Sequence, residues 1–220
     1  MNTPLLPPGI RHGISSAPNI VMSLGFLITW GAPTALGSDM LRYGMTVMIL
    51  EFVTIHSAAF MGWTLFAGSG PVKKILWVIA LGCFYSIFVY ALAMESGEWW
   101  PMAAFWFLIL NRLMTVLSGG EEANARLGVL MASWVWSLVS YLLAVMVTAL
   151  LPLPAFGWTP EFRTMLAPRG TGLWIDEPQT LMAAGFLYFL SSAVFDLHAH
   201  KILNIFSGID PRIPLLRKKR

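Results

Sequence analysis

Apolar residues fill six long runs, at about 18–37, 43–67, 74–94, 100–118, 127–151 and 179–200, and polar residues gather between them. Each run is close to the roughly 20 mostly apolar residues that a helix needs to cross a bilayer. In lipid a backbone must bond within its own segment, so these runs are expected to be helices and not strands. The short connections "GSD", "GSGP", "ESGEWWP" and "SGGEEANAR" supply the glycine, proline and charge that end such helices. The expected architecture is therefore an all-α polytopic transmembrane bundle of about six spans. An N-terminal segment, 1–17, precedes the membrane domain, 18–203, and a basic tail, 204–220, follows it. No internal repeat is visible, and no stretch has room for a soluble domain.

The connection at about 152–178 breaks the rhythm of short loops. It holds five prolines (152, 154, 160, 168 and 178) and the apolar residues Phe156, Trp158, Phe162, Met165, Leu166 and Trp174. Long loops of this kind often serve as lids or binding elements. Two readings follow: a segment that lies on or dips into the outer membrane interface, or a loop anchored by its tryptophans.

Composition sharpens the class. Of 220 residues 57% are hydrophobic and 11% charged, against about 25% charged in a soluble domain. Most of the surface must then face something other than water. Cys83 is the single cysteine, so no internal disulfide can form. The net charge of +3 concentrates in the closing "LLRKKR", a pattern suited to anionic lipid headgroups. No interleaving of basic and aromatic residues points to nucleic acid.

Lys and Arg placement sets the expected orientation. With six spans, one side carries Arg11, Lys73, Lys74, Arg126, Lys201, Arg212 and the Arg217 to Arg220 cluster, and the other carries Arg42, Arg163 and Arg169. That imbalance puts both termini in the cytoplasm. A competing reading takes Arg11, His12, the first apolar run and "TALGS" as a cleavable leader, which would leave five spans.

An ionisable side chain inside a span costs roughly 2.5–3.5 kcal/mol on insertion scales and so marks a functional candidate. Glu51 and His56 lie in the second run, Arg112 in the fourth and Asp196 late in the sixth. At about 100° per residue, Glu51 and His56 point about 140° apart and face different neighbours. Thr54 and Ser57 flank His56 with hydroxyls able to bond nearby backbone. His56 and Arg112 fall at similar depth, with Glu51 and Asp196 roughly 6–8 Å to either side, so Arg112 could pair with either acid. This charge network (Glu51, His56, Arg112, Asp196) reads as a ligand or proton site, or as an ion pair that pins helices together.

In "VFDLHAHK", Asp196 and His200 are four apart and share a helix face. Such a pair can chelate a metal, or the acid can orient the imidazole. With His56 it would complete the three protein ligands of a catalytic zinc. The alternative is that His200 and Lys201 mark the membrane boundary and favour the helix C-terminus. Bis-histidine haem is disfavoured, because His56 sits near 9 Å from the level of His198 or His200. Ser133, Ser137 and Ser140 form a small-residue stripe suited to close helix contact.

"LEFVTIHSAAFMGW" and "FLYFLSSAVFDLHAH" resemble segments of uncharacterised bacterial multi-span membrane proteins, in which a late helix ends in Asp-Leu-x-x-His before basic residues. Here Asp196, Leu197, His200 and Lys201 match that pattern. The resemblance implies a bacterial inner-membrane protein and no activity. Three functional readings stay open: ligand binding or proton-linked transport with no cofactor, a zinc-dependent intramembrane hydrolase acting on lipid, and a structural or assembly subunit. The expected partners are the bilayer, its anionic headgroups, and a second copy or a partner membrane subunit.

Overall fold

A computed structural model describes residues 8–37, 39–66, 70–118, 120–166 and 171–209, with side chains for 16–37, 39–63, 70–110, 131–164, 166 and 171–198. The described backbone is all-helical. Six long helices occupy the six apolar runs: α1 (Pro8–Gly31), α2 (Met40–Phe66), α3 (Pro71–Ser96), α4 (Trp100–Ser118), α5 (Gly120–Leu150) and α8 (Pro178–Ile209). Two short helices, α6 (Pro160–Leu166) and α7 (Leu173–Asp176), interrupt the long connection. Over the described residues four helical stretches are long and apolar enough to cross a membrane: Met40–Trp63, Pro71–Ser96, Met131–Leu150 and Pro178–His198. In α4 the described apolar stretch is shorter, Trp100–Leu110.

The chain divides into two units, Met1–Met45 with Trp136–Ile202, and Thr46–Val135 with Leu203–Arg220. In the second unit α3 and α4 pack against each other. Pro71 opens α3 at a position where its missing N–H costs nothing. Gly97 ends it in the left-handed conformation (φ 70°), its N–H bonding the Ala93 carbonyl. Along α3 the buried positions Val78, Gly82, Tyr85, Val89, Ala93 and Ser96 recur every three or four residues. Trp77, Phe84, Ile87 and Phe88 stay exposed between them. A helix apolar on every side suits a lipid environment. Leu50, Met61, Phe105 and Ile109 join Val78, Tyr85 and Val89 in the core of this unit.

In the first unit α8 is the central helix, and Leu181, Met182, Ala183 and Ala184 are wholly buried. Phe26 of α1 stacks on Phe189 at 5.6 Å, and Tyr141 of α5 meets Tyr188 edge-on at 5.5 Å. Trp136 stacks on Phe195 at 5.2 Å. Gly185 leaves space that the Phe26 ring fills, since a Cβ there would collide with the ring.

The long connection belongs to this unit and is tied down from inside. Trp158 is 1% exposed, and its indole N–H donates to the Thr29 carbonyl at 3.1 Å. Trp30 answers by donating to the Pro154 carbonyl at 3.0 Å. Arg163 bonds the carbonyls of Trp158 and Asp176 and the Gln179 amide oxygen, at 3.1, 3.0 and 3.0 Å. Trp158 therefore ties the connection to the protein itself, at the end of α1. Arg163, counted above only as a charge for orientation, is the residue that holds the connection together.

Thr159 caps α6 by accepting from the Phe162 N–H. Backbone and Thr159 hydrogen bonds hold the exposed Glu161 carboxyl below its ordinary range. A depressed carboxylate stabilises α6 at pH values above its unfolded value, and that contribution disappears as pH falls through the folded one. Hydrogen-exchange protection factors across 160–166, taken relative to the intrinsic rate at each pH, are accordingly expected to fall on acidification, and Glu161→Gln should flatten that dependence. Gly185→Ala is expected to destabilise the protein by about 1–3 kcal/mol through overpacking against Phe26. Gly25→Ala, which meets nothing within 4 Å, should instead gain up to about 1 kcal/mol from helix propensity. Thermal unfolding in detergent separates the two.

Candidate functional site

Within α2 the hydroxyls near His56 turn back on their own helix. Thr54 donates to the Glu51 carbonyl at 2.9 Å and Ser57 to the Thr54 carbonyl at 3.0 Å. They satisfy themselves locally and leave His56 to a neighbouring helix. Its Nδ1 is hydrogen-bonded to the Tyr85 hydroxyl of α3 at 2.9 Å. Phe52, one turn earlier, stacks on the imidazole at 5.9 Å with planes 16° apart. Phe60, one turn later, meets it edge-on at 5.2 Å. The imidazole nevertheless remains exposed on the surface of its unit, while Glu51 is half-buried.

Tyr85 is itself held by the core around Val78, Val89 and Ile109, so the hydroxyl that orients His56 sits on a fixed support. Beside this pair lies an apolar cavity of about 690 Å³ lined by Ala59, Phe60, Trp63, Met131 and Trp134. His56, Ala59, Phe60 and Trp63 fall at helical spacing on one stripe of α2. Phe60 joins the cavity to the imidazole. The far wall is pinned where the Trp134 indole N–H donates to the Ile55 carbonyl at 2.8 Å.

A second polar pair lies in the other unit. The half-buried Asp196 carboxylate accepts a 2.8 Å hydrogen bond from the Asn19 side-chain amide of α1. Further back along α8, Ser23 donates to the Phe186 carbonyl at 3.3 Å and Ser140 meets Ser191 at 2.9 Å. Ser140 is thus one member of the expected serine stripe that makes a polar contact between helices. His198 is exposed and bonds the Val194 carbonyl of its own helix at 3.0 Å.

The structure therefore places Glu51 and His56 in one unit and Asp196 in the other. Arg112 and His200 lie on α4 and α8, but their side chains fall outside the described residues, as does that of Asn111. Among the described residues no three His, Cys, Asp or Glu side chains converge as metal ligands would. The two partners that reasoning from ionisable groups passed over are Asn19 and Tyr85. Both are uncharged polar groups inside apolar runs, and that setting was the available signal, because a buried amide or phenol seeks a hydrogen bond.

Comparison with protein-family models, with curated proteins and with solved structures finds no match to this chain. Its function has to be read from the chemistry of these two pairs.

The Asn19–Asp196 bond makes a direct prediction. Asn19→Ala strands a carboxylate oxygen, at a cost of about 1–3 kcal/mol. Asp196→Asn keeps an acceptor for the Asn19 amide and should cost less. Chemical or thermal unfolding of the two variants in detergent gives the order.

Proposed function

We propose that the chain is a six-span protein of the bacterial inner membrane, with both termini cytoplasmic, that binds a membrane-soluble ligand at an intramembrane centre on α2 and α3. The observation that carries this reading is the His56–Tyr85 hydrogen bond, which the Phe60 ring joins to an apolar cavity one turn further along α2. A polar ring exposed toward lipid is costly unless something uses it. Here the ring is oriented by a phenol and an aromatic stack, and only one of its nitrogens is engaged by that bond. Small-molecule sites elsewhere have the same composition: mostly apolar walls with a few well-placed polar groups.

In this reading His56 contacts the ligand and Tyr85 positions it. Glu51 and Arg112 supply charge balance in the same unit, Arg112 neutralising the acid. Asp196, held by Asn19 in the other unit, is a separate candidate for proton exchange. The basic tail holds the C-terminus to anionic headgroups. The apolar cavity favours ligand binding over a subunit whose buried polar groups serve packing alone.

The test is extraction of the full-length protein, purified in mild detergent, followed by mass spectrometry of the small molecules it carries. One class of apolar molecule should be enriched about tenfold or more over the bulk membrane lipids. His56→Phe should lower that enrichment by about tenfold, the value of one hydrogen bond near 1.4 kcal/mol. A profile identical to bulk lipid, or one unchanged in His56→Phe, would remove the reading.

A further inference from the structure

The hydrogen-bond inventory of the site narrows the ligand class. A neutral imidazole has one donor and one acceptor nitrogen, and a phenol has one donor and can accept. If Tyr85 donates to Nδ1, the His56 Nε2–H is left over as a donor. If Nδ1–H donates to the Tyr85 oxygen, the phenolic O–H is left over instead. In either tautomer the pair offers one unused donor beside Phe60, the residue that links it to the cavity, and such a donor suits a carbonyl oxygen.

The walls narrow it further. The described lining of the cavity carries no charged side chain: Ala59, Phe60, Trp63, Met131 and Trp134 are all it shows. A phosphate headgroup would find no counter-charge there, and a quaternary ammonium, though aromatic walls attract it, has no oxygen to accept from the His56–Tyr85 pair, so the polar end of the ligand is a neutral acceptor. The rings around the donor are already arranged for a flat π system, with Phe52 near-parallel to the imidazole and Phe60 edge-on. Offset stacks and edge contacts of this kind are the favourable geometries for a further aromatic or quinonoid ring. From Phe60 the cavity continues to Trp63, one turn further along α2, and a volume of about 690 Å³ admits a ring with the first part of an apolar chain.

We infer that the ligand is a lipid quinone. One ring carbonyl accepts from the His56–Tyr85 pair, the ring lies against Phe52 and Phe60, and the apolar chain runs past Ala59 and Trp63 between α2 and α5. This rests on the reading of His56 as the ligand-contacting group. The inference concerns binding and assigns no electron transfer.

The test uses the full chain in nanodiscs of synthetic phosphatidylcholine, titrated with a decyl-substituted benzoquinone and, separately, with decylbenzene. Quinones quench indole fluorescence, and Trp63 and Trp134 line the cavity. Saturable quenching by the quinone is expected, with decylbenzene failing to displace it. Trp63→Phe should reduce the quenching amplitude. His56→Phe should weaken the apparent Kd about tenfold and Tyr85→Phe roughly two- to tenfold, each the loss of one hydrogen bond. Should His56→Phe not fold, as judged by circular dichroism, Tyr85→Phe decides alone.

Quenching that rises without saturating would overturn the inference. So would equal displacement by decylbenzene, the mark of an ordinary acyl-chain groove, or an affinity indifferent to both substitutions. If the quinone fails while a co-purified molecule still depends on His56, the ligand class is wrong and the binding site stands. If both fail, the site itself is withdrawn.

Discussion

A backbone amide or carbonyl inside hydrocarbon has no water to bond, and leaving it bare costs several kcal/mol. That constraint organises the molecule. It drives the apolar runs into long helices, and it extends to the side chains. Thr29, Ser86 and Thr148 each return their hydroxyl to a carbonyl four residues back, on Gly25, Gly82 and Ala144. The indoles of Trp30, Trp134, Trp136 and Trp158 each find a backbone carbonyl on another segment. Among buried side-chain polar atoms of the described residues, Ser192 Oγ has no partner.

Once local groups are satisfied at home, few polar side chains are left to act between helices, and those few set the contacts. Lipid tails are as apolar as leucine, so helices gain little by hiding apolar surface from one another and associate through close packing and rare polar bonds. Gly185 admits the Phe26 ring, Asn19 reaches Asp196, and Trp158 with Arg163 closes the long connection over the end of α1. In the other unit Tyr85 spans from the α3 core to His56. A fixed phenol and a stacked phenyl hold that imidazole in one orientation.

The candidate site was legible in part. Glu51, His56 and Asp196 stand out because a charge or an imidazole in an apolar run is conspicuous, and the local bonds of Thr54 and Ser57 follow from helix geometry. Tyr85 and Asn19 were not singled out, since a phenol or an amide in a hydrophobic run has no unusual charge to mark it. The aromatic neighbours of His56 show the same division. Phe52 and Phe60 lie one turn either side of it and could be placed by counting. The cavity wall from Met131 and Trp134, some 70 residues away in sequence, could not.

What the sequence by itself determined is therefore the six long helices and the limits of α2, α3 and α4 to within three residues. By contrast, α1 begins ten residues before its apolar run, α5 seven before, α8 extends nine beyond, and α6 and α7 lie in what read as a loop. The run at 100–118 is α4, and 74–94 lies inside α3 at Pro71–Ser96. Hydrophobic length and Gly or Pro punctuation act within a few residues, and both are written in the local sequence. Tertiary structure alone decided that Trp158 is an internal anchor, that Arg163 ties three points of the connection, and that His56 answers to Tyr85 and Asp196 to Asn19. In an apolar chain nearly every helix face could pack, so the pattern of hydrophobicity does not choose among neighbours. The choice rests on a few hydrogen bonds and on the fit of single rings, and these exist only once distant segments have met.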